Sequence, residues 1–120
     1  MGVTLRVGVP VLLLAAVLMS VGASCGDDPP PRSARTTRIV IPVGTKAAVD
    51  RGEAVAIFSS VMRFKVGDRL IIRNDDEVTH VVGPYTVRAG ERIDVRFRRK
   101  AIYPGPCSAN DAGRTVIMVQ

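Results

Sequence analysis

Between Arg38 and Val119 the chain sustains no helical period; short alternating apolar and polar runs are cut every few residues by glycine, proline, asparagine or aspartate. In Val61 to Val66, Met62, Phe64 and Val66 fall on one side of a strand and Arg63 and Lys65 on the other. Gly67 and Asp68 supply a turn. Arg69 to Arg73 then carries the apolar run Leu70, Ile71, Ile72, which Asn74, Asp75 and Asp76 end before His80, the sole histidine. The clearest alternation runs from Glu91 to Arg98, and Thr115 to Val119 forms a closing strand. Arg38 to Val43 reads as a first strand, Tyr85 to Arg88 as a short one, and Ala54 to Phe58 as a further short one. Gly44 to Ala56 reads as loop or a short helical turn, and Pro104-Gly105-Pro106 as a break. About six to eight short strands on tight connections predict an all-β sandwich or barrel.

The first residues have a different character. Arg6 is the only charge before Asp27, and Val9 to Val21 is apolar and ends in Gly22, Ala23 and Ser24. The run is short for a membrane span and contains Pro10, so residues 1–24 are expected to be a cleavable secretory signal. Gly22-Ala23-Ser24-Cys25 resembles a bacterial lipobox, which implies lipidation of Cys25. The alternative is simple cleavage after Ala23. Residues 25–37 are expected to form a Pro-rich tether and residues 38–120 the folded domain, anchored outside the cytoplasm to the cell membrane through Cys25, or otherwise secreted. With Cys25 lipidated, Cys107 is left unpaired. Its alternatives are burial, metal binding or, without lipidation, a bridge to Cys25.

The net charge of the 120 residues is +6, and removing the expected signal leaves +5. A nucleic-acid partner is not expected: Arg92, Arg96 and Arg98 alternate with Ile93, Val95 and Phe97 as one face of an amphipathic strand, and no stacking aromatics interleave the charges. Anionic lipid headgroups beneath an anchored domain are the other candidate for this basic surface.

With Gly67-Asp68, Asn74-Asp75 ahead of His80, and a cysteine loop just before the last strand, residues 38–120 resemble the cupredoxin family of small blue-copper proteins. The resemblance implies a Greek-key β-sandwich with copper at one end, His80 and Cys107 standing where the first two ligands belong. Thiolate and imidazole with a weak axial sulfur suit copper cycling between two oxidation states. The ligand set here is incomplete: Asn110 holds the place of the second histidine, Ala112 to Thr115 that of the methionine, and Met118 belongs to the closing strand. Asn110 or Asp111 would be weak oxygen donors. His80 has a second reading, as a strand-end histidine bonded to Asp75, Asp76 or Glu77, and Cys107 as a small buried hydrophobe.

The function expected is therefore a non-catalytic, membrane-tethered cupredoxin-like binding module with a degenerate copper site and a protein partner at the His80/Cys107 end. The alternative is a mononuclear copper protein for electron transfer or copper delivery. Enzymatic use of Cys107 and His80 as nucleophile and base is not expected, for want of an orienting third residue and a Gly-rich oxyanion loop.

Overall fold

The computed structural model describes Gly2 and residues 32–120. The expected signal and Cys25 lie outside the described residues. The described residues form eight strands, with one short helix between the first and second: β1 Thr36–Ile41, α1 Thr45–Asp50, β2 Val61–Phe64, β3 Arg69–Asn74, β4 His80–Val82, β5 Tyr85–Val87, β6 Arg92–Arg96, β7 Ala101–Pro106 and β8 Arg114–Val119.

Period-two patterning decides the layers. Leu70 and Ile72 of β3 are fully buried, with Ile41 of β1 and Phe97 after β6 on the same inner side. β3 lies between β1, parallel to it, and β6, antiparallel to it. A second sheet runs β2-β8-β7, with β2 parallel to β8 and β7 antiparallel to it. Met62 and Phe64 of β2 and Ile117 and Val119 of β8 turn inward and join one core cluster with the first sheet. Phe64 and Phe97 meet across it with ring centroids 4.7 Å apart. The β4–β5 hairpin adjoins β7 through a bridge between Val82 and Cys107 and a hydrogen bond from Gly83 N to Pro106 O at 2.7 Å. This is the cupredoxin-like Greek-key β-sandwich the resemblance implied.

The Gly67-Asp68 turn does not close a hairpin. It carries the chain from β2 in one sheet to β3 in the other, and the buried Asp68 fixes the crossing by accepting from Lys65 N, Arg35 N and Arg32 Nη2 at 2.9, 2.8 and 2.7 Å. The last residues of the expected tether are thereby fastened to the domain, and β1 begins at Thr36 rather than Arg38.

Two other expectations need correction. Ala54 to Phe58 is not a strand: only Ala56 makes a bridge, to Asn110, in a segment where Phe58 turns into the core. Conversely, Pro104-Gly105-Pro106 does not break β7. Because Pro106 O accepts from Gly83, the polar backbone side of Pro106, and by alternation that of Pro104, faces away from β8, and the missing N–H groups cost the β7–β8 ladder nothing.

Candidate functional site

The site is assembled by three elements at one end of the sandwich. Asn74 ends β3 and organises the following loop: its amide Nδ2 donates to Val78 O at 2.8 Å and Val87 O at 3.0 Å, while its Oδ1 accepts from Asp76 N at 3.0 Å. That places Asp76 inside the loop, 5% exposed, where its carboxylate accepts from Gly44 N, Lys46 N and Glu77 N, each at 2.9 Å. Burial alone would push the Asp76 carboxyl up. The hydrogen bond from His80 and those from the three backbone donors outweigh it and hold the group well below the usual carboxylate range.

His80 opens β4 with its side chain fully buried. Nε2 lies 2.8 Å from Asp76 Oδ2 and Nδ1 lies 2.9 Å from Ser108 Oγ. Since Asp76 is ionised, Nε2 carries the proton and donates it. Ser108 Oγ accepts from Val81 N at 3.0 Å and has its own O–H to give to Nδ1. Ser108 N in turn donates to Val81 O at 2.9 Å. The imidazole is therefore clamped from both sides in a continuous chain, Asp76, His80, Ser108, Val81. Of the acids named for the strand-end reading of His80, Asp76 is the partner; Asp75 faces solvent and pairs with Arg73.

Cys107 sits one residue before Ser108, on the same end as His80, and is 1% exposed. It is a free thiol. Burial raises its pKa, only partly offset by a backbone hydrogen bond from Ala109, so the neutral thiol is favoured. Asn110 is buried too. Its Nδ2 donates to Arg114 O at 3.1 Å, and its Oδ1 is the one buried side-chain polar atom among the described residues without a partner. Asp111 is exposed.

The structure thus brings His80, Cys107 and Asn110 to one end and leaves Asp111 at the surface. The chemistry of the donors does not fit copper as they stand. A copper ligand needs a free imidazole lone pair, whereas both ring nitrogens of His80 are engaged, by Asp76 and by Ser108. Among the described residues no group of three or more His, Cys, Asp and Glu side chains converges as a metal centre would require. Ser108, which sequence reasoning missed, is the residue that closes the ring; an isolated serine after a cysteine gives no signal of it until β4 and the cysteine loop are known to be adjacent.

The class defined by strand order and loop placement is the cupredoxin-like sandwich. Solved structures with similar chain paths include a novel purple cupredoxin from Nitrosopumilus maritimus, with 20% identity, 70% of this chain and 99% of that chain covered, and a TM-score of 0.45. A Cu(I) form of an amicyanin mutant has 13% identity over 75% of this chain and 87% of its own, with a TM-score of 0.44. A reduced amicyanin mutant has 12% identity over the same shares, with a TM-score of 0.43. Likeness at this level concerns the fold and carries nothing about ligands. No family model matches the chain, and no curated protein matches it.

Proposed function

We propose that this protein is an exported, membrane-tethered, non-catalytic cupredoxin-like binding module whose metal end has become a closed polar lock. The observation that carries the reading is the occupation of both nitrogens of the fully buried His80, by the buried Asp76 and the half-buried Ser108. Such a network rigidifies the end of the sandwich where a partner docks, because each member is satisfied by the next. The order Ser108, His80, Asp76 is that of a nucleophile, base and orienting acid, but two nearby donors that an oxyanion would need are spent: Ser108 N on Val81 O, and Val81 N on Ser108 Oγ. This favours a non-catalytic role.

Equilibrium dialysis against Cu(I) and Cu(II), with visible absorption spectra, tests the lock. The expected result is no stoichiometric retention and no thiolate-to-copper band. Tight one-to-one copper with a band abolished by Cys107→Ser would overturn it. The tether is read separately, by mass spectrometry of the amino-terminal peptide from membranes: a lipidated Cys25 is expected, and an unmodified terminus at Ser24 overturns that part.

A second reading, a mononuclear copper-binding protein for electron transfer or delivery, is favoured by one observation. Asn110 Oδ1 is buried without a partner three residues after Cys107, at the end that also holds His80. It requires His80 to release Ser108, and the same dialysis decides it.

A further inference from the structure

The outer face of the first sheet is a grid of nine positions set by strand register. Its rows are Thr36, Arg69, Arg96; then Arg38, Ile71, Asp94; then Val40, Arg73, Arg92. Alternation puts all nine on one side, opposite Leu70 and Ile72. Five are arginines and one is acidic. Ile71, at the centre, is only 5% exposed, and Arg38, Arg73 and Arg92 line a depression with it. Such an arrangement lets arginine stems cover an apolar centre while their guanidinium groups reach solvent.

The charges are partly organised. Arg69 holds Asp94 through two hydrogen bonds of 2.6 and 2.7 Å, and Arg73 holds Asp75 just beyond the grid at 2.8 Å through each of two. Arg92 reaches Asp94 only at 3.7 Å. Arg38 and Arg96 make no ion pair with the described residues. Five arginines therefore face two carboxylates. Arg98 extends the same basic margin, lining a second depression with Arg69 and Arg96.

We infer that this arginine face docks directly on an anionic lipid surface. Charge complementarity is the first argument: a sheet face that carries five arginines, with their planar guanidinium groups spread over three strands, suits a plane of phosphates better than a single small anion. The chain leading to the face is the second. Thr36 begins β1, an edge strand of the grid, and the residues before it are pinned through Arg32 and Arg35 to Asp68. From Cys25 to Thr36 an extended chain spans at most about 40 Å, so lipid on Cys25 would keep the face within reach of headgroups. The inference deepens the tether reading and rests on it for its biological setting.

The test uses the mature chain from residue 25 with Cys25→Ser, which carries no lipid and retains the whole described core, in vesicle co-sedimentation at low ionic strength. Vesicles of phosphatidylglycerol with phosphatidylcholine are expected to retain it and pure phosphatidylcholine vesicles are not. Replacing Arg38, Arg92 and Arg96 together by Gln is expected to weaken binding about a hundredfold. Replacing Arg51, Arg63 and Arg114 by Gln, which removes equal charge away from this face, is expected to have a much smaller effect, and circular dichroism confirms folding of both. Absence of retention, equal weakening by the two sets, or capture by inorganic polyphosphate without retention on anionic vesicles would each overturn the inference. Because the tested chain has no lipid, these outcomes are independent of whether Cys25 is lipidated, which the terminal mass reads.

Discussion

At the scale of single residues, Ser108 and Asp76 determine what the histidine can do. Ser108→Ala removes the acceptor of Val81 N and the partner of His80 Nδ1 at once, leaving two polar groups uncompensated at a half-buried to buried site. The expected loss is about 2 kcal/mol, in the middle of the range for an unsatisfied buried group, measured by urea denaturation. Ser108→Thr, which keeps the hydroxyl, is expected to recover part of it. A loss for Ser108→Ala within experimental error would mean the lock is ornamental to the fold. Asn110 asks the opposite question: its unpartnered Oδ1 is a standing cost in the present structure, so Asn110→Leu is expected to cost less than Ser108→Ala, its loss arising from Nδ2 releasing Arg114 O and the more distant Phe58 O.

Elements meet most tightly where β7 crosses the β4–β5 turn. A Cβ added at Gly105 would lie 2.8 Å from Gly83 Cα and 2.9 Å from its carbonyl carbon, and both neighbours are backbone. Gly105→Ala is therefore expected to force β7 and the turn apart, breaking the Gly83 N to Pro106 O bond and lowering stability by about 2–3 kcal/mol. Ala at Gly90, where no atom lies within 4 Å but φ is +74°, isolates the lesser cost of backbone strain alone, about 1 kcal/mol. This crossing also shows what could be read in advance. Strands β3, β6 and β8 were legible from local pattern: β6 alternates charged and apolar residues over its five positions, while β3 and β8 carry apolar runs bounded by turn residues. The continuity of β7 was not, since proline reads as a break unless one knows which side of the strand its nitrogen faces. Nor was the absence of a strand at Ala54 to Phe58, where composition is permissive and only sheet edges decide. At the candidate site, a carboxylate partner for His80 was legible in the acidic loop, but not which of Asp75, Asp76 and Glu77 it is, and the closing Ser108 depended on tertiary adjacency between residues 28 positions apart.

For the whole molecule, two buried carboxylates join parts of the chain that the sheets alone do not hold. Asp68 fastens the entering segment through Arg32 and Arg35, and Asp76 fastens the Gly44 to Lys46 segment at the start of α1 as well as the histidine. Burial pushes the Asp68 carboxyl up, but the hydrogen bonds from Lys65 N, Arg32 and Arg35 N prevail and leave it at about 2; Asp76 is held lower still. Both folded-state values lie below that of an unfolded aspartate, near 3.9. The unfolded chain therefore binds more protons on acidification than the folded one, and stability must fall with pH. The contribution of each group is complete above about pH 5 and is lost as pH descends through the unfolded value toward the folded one. A plot of unfolding free energy against pH is thus expected to slope downward from about pH 5 to pH 2. Asp68→Asn removes one of the two proton-linked sites; it is expected to lower stability at neutral pH by about 3 kcal/mol, from weakened charge-assisted bonds to Lys65 N, Arg35 N and Arg32, and to halve the acid slope. An unchanged slope in that variant would locate the acid sensitivity elsewhere, in the exposed pairs such as Arg69 with Asp94, and those are distinguished by their loss in high salt, which leaves a buried carboxylate bonded to backbone N–H groups largely untouched.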